Sequence, residues 1–325
     1  MPGPGSKAQQ PVYAGFINLN KAVEMTSMDA LRRIKRITGQ RQKVGHGGTM
    51  DPLAHGVLPI CFGQGTRLMD YVIEGSKIYR MEVTLGITTT TYDAEGEVVK
   101  TAEASGVTRE HVQDALKPFL GSIQQLPPMY SAIKVQGQRL YKLARAGVEV
   151  ERQARTVEIY DVQILELAHP RLVLEVQCGR GAYMRSLAHD LGEALGCGGY
   201  VTDLARVQCG NFHLDDAVTL EQLEQAQAES PTGWLRYLHP LDWVLRGLNS
   251  ITVGKAAEQC LRHGQSINLG RLAQEAGYLE RFRVYNSEGL FLALVRFDRS
   301  NNSWQPLKVF SATAPSPLAP ATVRP

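Results

Sequence analysis

The apolar positions of this chain change period along its length, and each change marks an element. Residues 78–85 alternate strictly, with Tyr79, Met81, Val83 and Leu85 on one side and Arg80, Glu82 and Thr84 on the other, the period-two pattern of a half-buried strand. Phe16 to Leu19 reads as a shorter strand, after which Thr26 or Ser27 caps a helix whose Leu31, Ile34 and Ile37 share one face. A second alternating strand carries Leu172, Leu174, Val176 and Cys178. It leads through Gly179-Arg180-Gly181 into a helix bearing Leu187, Leu191 and Leu195 and ending at Gly196. Strands and helices are interspersed without a repeating strand–helix unit, so a mixed α+β fold fits better than a doubly wound parallel sheet.

The pattern shifts near Gly247. A short helix at Ala256 to Arg262 is followed by strand-like runs at Phe282 to Tyr285, Leu290 to Phe297 and Leu307 to Phe310, with a turn at Asn286-Ser287-Glu288-Gly289. A larger domain over residues 12–245 and a small β-rich one over about 248–310 suit a length of 325 residues. Residues 1–11, rich in Pro, Gly and Gln, and the Pro- and Ala-rich tail 311–325 are expected to be disordered.

Composition narrows the class only a little further. At 43% hydrophobic, with no apolar run of the ~20 residues a bilayer requires, the chain reads as soluble. Without a signal peptide it points to the cytoplasm. Cys61, Cys178, Cys197, Cys209 and Cys260 are scattered, without zinc-ligand spacing, and read as reduced. Lys and Arg exceed Asp and Glu by only 35 to 32, too little to name a polyanionic partner. Six basic residues lie between Arg32 and Lys43 (Arg32, Arg33, Lys35, Arg36, Arg41, Lys43) with no acidic one. Such a run attracts phosphate, although alone it reads as a solvated helix face.

The candidate chemistry lies in Gly45-His46-Gly47-Gly48-Thr49-Met50-Asp51-Pro52-Leu53. Glycines permit close approach of a ligand, and Pro52 pushes Asp51 out of the helical region, so an acid is held on a shaped loop. A plain turn uses the same residues. The loop lacks both the ending of a phosphate-binding P-loop and a dinucleotide fingerprint. His46, Asp51 and His55 could ligate a metal, but their spacing suits no common site.

The rest of the chain decides between these readings, because the sequence resembles the TruB-type tRNA pseudouridine synthases in ordered blocks over nearly its whole length. They run from Asn18-Leu19-Asn20-Lys21 and Met25-Thr26-Ser27 through the Asp51 loop to Leu58-Pro59-Ile60-Cys61-Phe62-Gly63. They resume at Lys77-Ile78-Tyr79, Pro127-Pro128-Met129-Tyr130-Ser131-Ala132, Gly137 to Gly147, Arg180 to Leu187, and Gly196-Cys197-Gly198. Ala22 stands where that family usually has proline, Gly47 where it has alanine, Met50 where it has leucine and His55 where it has threonine.

The resemblance implies a pseudouridine synthase fold with a mixed, largely antiparallel central sheet and a PUA-like C-terminal domain. It also implies conversion of uridine to pseudouridine in the T-loop of tRNA, at position 55, by a monomer needing neither cofactor nor metal. Asp51 is the implied catalytic carboxylate, attacking C1′ or taking the C2′ proton. Arg185, in the first turn of its helix, where the dipole does nothing for a cation, is implied to pair with it. Tyr79, a core residue by periodicity alone, is implied to stack on the target base, with its phenol a candidate to handle the C5 proton. Leu204, in Asp203-Leu204-Ala205-Arg206, matches an apolar residue lining the uracil pocket.

RNA contacts are expected from His46 and Lys21 and from an insertion at about 127–155. The insertion carries Arg139, Lys142, Arg145 and Arg152 interleaved with Tyr130 and Tyr141, a mixture suited to backbone charge and base stacking.

Overall fold

The computed structural model describes residues 13–40, 43–131, 134–135, 138–140, 150–269, 277 and 279–320, with 134, 135 and 139 as backbone only. The chain opens with β1 (Gly15–Lys21), helix α1 (Ser27–Thr38), β2 (Val44–His46), β3 (His55–Phe62), helix α2 (Met69–Glu74) and β4 (Lys77–Leu85). A hairpin of β5 (Ile87–Thr89) and β6 (Val98–Thr101), helix α3 (Arg109–Leu116) and β7 (Gly121–Gln125) follow, then a short ribbon of β8 (Lys134–Val135) and β9 (Gln138–Arg139). The long strands β10 (Arg155–Ala168) and β11 (Arg171–Cys178), helix α4 (Met184–Ala194), β12 (Gly199–Cys209), β13 (Phe212–His213) and helix α5 (Leu220–Glu229) complete the larger domain.

Nine strands form its sheet in the order β1-β3-β12-β4-β11-β10-β7, with β2 alongside β3 and β13 alongside β12. Only β3 and β12 pair in parallel, so the sheet is mixed and largely antiparallel. The alternation of β4 shows how the sequence builds it. Val83 lies between Leu172 and Val201 on its neighbours, and Met81 between Leu174 and Leu204, and all are fully or almost fully buried. The next row along the same face is Val176, Tyr79 and Arg206. The apolar stripe therefore gives way, at one end of the sheet, to two polar side chains.

Two helices frame that end. Helix α1 starts where the Thr26 side chain accepts from the Asp29 N–H and stops at Gly39, whose φ of 69° suits glycine. Its Ala30, Leu31, Ile34 and Ile37 are buried, and Ile34, with no exposed surface, contributes about 1.5–3 kcal/mol by leaving water. Helix α4 lies across β12 and β4. It can come this close because Gly192 has no side chain: a Cβ there would stand 2.2 Å from the Gly199 nitrogen. Its N-terminus thereby sits over the polar end of the sheet.

The smaller domain comprises β14 (Asn249–Val253), helix α6 (Lys255–Arg262), β15 (Arg281–Asn286), β16 (Phe291–Asp298) and β17 (Ser303–Val309). Its four strands pair in sequence order, β14 and β15 in parallel. Phe16, Val57, Phe212 and Leu241 of the larger domain share one apolar cluster with Tyr285, Phe291 and Phe310 of the smaller. Composition predicts disorder from Ser311 onward. Through residue 320 the chain instead lies against this seam, where Ser316 donates to buried Asp242 at 2.6 Å, beside the 2.5 Å bond from the Tyr285 hydroxyl. Low charge and high proline say nothing about such a docking contact. Residues 1–11 and 321–325 lie outside the described residues. Among the described residues no helix is long and apolar enough to cross a membrane.

Candidate active site

The loop between β2 and β3 is clamped on both sides of Asp51. Before it, Ser27 at the start of α1 accepts from the Met50 N–H at 2.8 Å and donates to the Met50 carbonyl at 3.2 Å. After it, the Ala54 N–H bonds the Asp51 carbonyl at 3.1 Å, closing a turn with proline in its second position, as such turns favour. Beneath the loop the Lys21 ammonium donates to the carbonyls of Met25, Ala22 and Pro52 at 2.6, 2.8 and 3.3 Å. Gly47 is held by its N–H to the Pro59 carbonyl at 2.7 Å. A Cβ there would meet Val72 Cγ1 at 2.4 Å, which gives a steric reason for glycine where alanine is usual in the resembling family.

Arg185 reaches this loop from the first turn of α4. It is 3% exposed, and its Nε lies 2.9 Å from the Asp51 carboxylate while Nη1 lies 3.0 Å from that of Asp93. Nη2 donates to the Tyr130 carbonyl at 2.7 Å, and Nη1 also to that of Thr91 at 3.3 Å. Asp93 is also buried; it accepts from the Thr91 hydroxyl and, at 3.1 Å, from the Glu95 N–H. Next to it Tyr92 takes a left-handed φ of 64° and stacks on His189 of α4, ring centres 3.9 Å apart. Arg185 thus bridges two carboxylates. Burial pushes the Asp51 carboxyl above its ordinary value, Arg185 pulls it back, and the Asp93 charge adds to the rise. The Asp51 side chain keeps about a third of its surface, 32%, open.

That open surface faces a cavity of about 190 Å³. Its lining includes Asp51, Gly48, Lys77, Tyr79, Tyr183 and Arg206. It is smaller than the roughly 300 Å³ at which pockets for drug-sized ligands begin, a scale suited to one ring. Burial raises the Tyr79 phenol, against an opposing pull from Arg206. Arg206 is 1% exposed and donates to the Val57 carbonyl at 2.7 Å and to the Gly48 carbonyl at 3.4 Å. Leu204, two residues before Arg206 on the same face of β12, lies in the core opposite Met81. It is not among the residues lining the cavity.

Of the residues expected to bind RNA, Lys21 needs correction. It has no exposed surface and its ammonium is taken by the three carbonyls above. Burial lowers its pKa to about 8, although Asp51 opposes the fall. A lysine so enclosed positions the loop and offers nothing to a phosphate. His46 is half-buried on β2 opposite Ile60. Burial pushes its pKa down, and the charge of Arg206 adds to the fall. Arg152 donates to the Pro127 carbonyl at 2.9 Å, across the base of the insertion. Lys142, Arg145 and the side chain of Arg139 lie outside the described residues.

Two members of the basic run on α1 are paired internally: Arg32 with Asp29 at 2.7 Å, and Arg33 with Glu224 of α5 at 2.9 Å. His55 lies 3.4 Å from Asp203 across the β3–β12 pairing. Among the described residues no three of His, Cys, Asp and Glu gather as metal ligands.

Asp93 and Arg206 escaped the sequence reading. Asp93 lies two residues beyond the run Thr88–Thr91, and Arg206 two residues beyond Leu204 in the run Asp203–Arg206. For Arg206 the available signal was its two-residue spacing from Leu204, which puts both on one strand face.

Comparison with known proteins bears on this geometry. Residues 35–184 match the model of the TruB family pseudouridylate synthase N-terminal domain, and residues 185–246 that of the tRNA pseudouridylate synthase B C-terminal domain. The chain is 40% identical over 305 residues to tRNA pseudouridine synthase B of Dehalococcoides mccartyi, covering 94% of this chain and 99% of the relative. It is 38% identical over 286 residues to the protein of that name from Clostridium perfringens, covering 87% and 95%. In fold it is similar to a chain in the structure of a Cbf5–Nop10–Gar1 complex, with TM-score 0.67, 23% identity, and 94% of this chain and 87% of that one covered. A chain in the structure of an H/ACA RNP bound to a substrate RNA containing 2′-deoxyuridine gives 0.68, 21%, 94% and 87%.

Proposed function

Because the chain belongs to the TruB family of pseudouridylate synthases, we propose that it isomerises uridine 55 in the T-loop of tRNA to pseudouridine, with Asp51 as the reacting carboxylate. The observation that carries this reading is the Asp51 carboxylate at the wall of a cavity sized for one ring, 2.9 Å from a buried guanidinium. A uridine inside a folded loop must leave its stack to reach such a cavity, at a cost of a few kcal/mol. Contacts along the RNA backbone offset that cost, and the small C-terminal domain is our proposed second contact surface beside the insertion.

The reaction breaks the bond from N1 to C1′, turns the uracil and joins C5 to the same carbon, so it involves no net redox. Ionised Asp51 attacks C1′ or removes the C2′ proton; either step needs its negative charge, which Arg185 stabilises and aims. Arg185 cannot swing away, because Asp93 and two carbonyls hold its other nitrogens. Tyr79 lines the same cavity and presents a face on which the base stacks.

The position is tested by incubating the protein with tRNA transcripts and mapping pseudouridine by carbodiimide modification and reverse transcription. A single stop at the T-loop uridine, lost when that uridine is replaced by cytidine, is the expected result. Modification elsewhere only, or none, overturns the assignment.

A further inference from the structure

Among the described residues Arg206 is a buried cation without a carboxylate partner. Its backbone is locked between two strands, paired with Tyr79 on β4 and Gly56 on β3. Gly56 approaches so closely that a Cβ there would stand 2.4 Å from the Arg206 carbonyl oxygen. Its side chain is fixed by the bonds to the Val57 and Gly48 carbonyls, both neutral acceptors. Among the described residues it forms no ion pair with a carboxylate. Burying a permanent charge beside neutral partners alone is costly, and a fixed charge in a water-poor site strongly stabilises an anion that develops beside it.

The titratable oxygen nearest to hand is that of Tyr79. Arg206 and Tyr79 are direct cross-strand partners, whose side chains leave the sheet on the same face with Cβ atoms about 5 Å apart. Both line the cavity that holds Asp51, and the charge of Arg206 opposes the rise that burial imposes on the Tyr79 phenol. A fixed positive charge beside the phenol favours its ionised form over the neutral one.

We propose that Arg206 is a positioning residue for the last proton transfer of the reaction, holding Tyr79 and stabilising its transient phenolate while that oxygen takes the proton from C5. This inference rests on the synthase reading above. Tyr79 gives its proton to water. Once C5 is joined to C1′, C5 still carries its hydrogen and the ring holds a double bond between N1 and C6. The phenolate takes the C5 proton, the electron pair of the C5–H bond forms the C5–C6 double bond, and the pair from N1–C6 moves onto N1. N1 then takes a proton from water, and Tyr79 is again a phenol. Without Arg206 the phenolate is buried and unpaired, so this step alone slows.

The test uses the whole protein and tRNA carrying hydrogen or deuterium at C5 of the target uridine, under single turnover. Arg206→Gln can keep donors for the Val57 and Gly48 carbonyls but removes the charge. Arg206→Lys keeps the charge, and Tyr79→Phe removes the base. A charged hydrogen bond to the phenolate is worth roughly 1.5–3 kcal/mol, so Arg206→Gln is expected to lower the rate about 10- to 100-fold. It should also raise the C5 isotope effect above that of the unaltered protein and move the rise of rate with pH to more alkaline values. Arg206→Lys should recover part of the rate, and Arg206→Gln in the Tyr79→Phe background should cost little more.

A slowed Arg206→Gln with an unchanged isotope effect and an additive loss in the double variant would assign Arg206 to an earlier step or to structure alone, and would overturn the proposal. An unchanged rate would do the same. Should Arg206→Gln fail to fold, Arg206→Lys carries the isotope and pH measurements, with the same expected directions at smaller size. Failure of the unaltered protein to release C5 hydrogen from tRNA sinks the synthase reading instead, so the two failures are told apart.

Discussion

Replacing Arg185 by methionine tests the geometry of the site without reference to turnover. The guanidinium is 3% exposed and stands between two carboxylates. Removing one partner of a buried ion pair costs about 3–5 kcal/mol, because the other charge is left uncompensated. Most of that cost falls on Asp93, whose side chain is 3% exposed, whereas Asp51, at 32%, retains access to water. For a domain of this size the loss corresponds to roughly 6–20 °C in melting temperature. Arg185→Lys should fall between the two, since one ammonium cannot span two carboxylates as a fork does. Urea unfolding of the unaltered protein, Arg185→Met, Asp93→Asn and the double variant forms a cycle. The double variant should be more stable than the sum of the single losses by about 1–3 kcal/mol. A strictly additive cycle, or an Arg185→Met within about 0.5 kcal/mol of the unaltered protein, would refute the bridging role.

Other outcomes follow from the same contacts. Since Asp51 acts ionised and burial raises its pKa, the rate should fall on acidification from above the ordinary aspartate range of about 4, as a pH–rate profile would show. A carboxyl whose pKa is higher folded than unfolded costs stability once pH rises through the folded value. Asp51→Asn should therefore melt at or above the temperature of the unaltered protein at pH 7, with the gap closing in acid; a lower melting point at pH 7 would contradict this. Gly47→Ala should slow the reaction because its Cβ meets Val72 at 2.4 Å, and Val72→Ala in the same chain should restore the rate; no rescue would mean that the loop fails for another reason.

Local pattern carried the reading as far as local pattern reaches. The alternation of residues 78–85 marks β4, and the cap at Thr26 starts α1, because strand period and helix caps are set by neighbours in sequence. Charge was a poorer guide. Lys21 reads as an RNA contact, yet its ammonium serves carbonyls beneath the Asp51 loop, and Arg33, in a run that alone reads as a solvated face, pairs with Glu224, 191 positions away. Glu224 is invisible to a window of a dozen residues around Arg33, as is the Pro52 carbonyl, 31 positions away, to one around Lys21. The same distance hides Asp93, which meets Arg185 only because helix α4 folds over the β5–β6 hairpin. Arg206 shows the complementary failure: its period places it in the core, and only the strand register reveals Tyr79 opposite and a cavity beside both.

The central claim is that one ionised carboxylate, Asp51, breaks the bond between uracil and ribose. Tritium release from tRNA labelled at uracil C5 measures this directly, with Asp51→Asn compared against the unaltered protein after both are shown to bind the tRNA. The account predicts release by the unaltered protein and only background release by Asp51→Asn; release by the variant at the rate of the unaltered protein would contradict it.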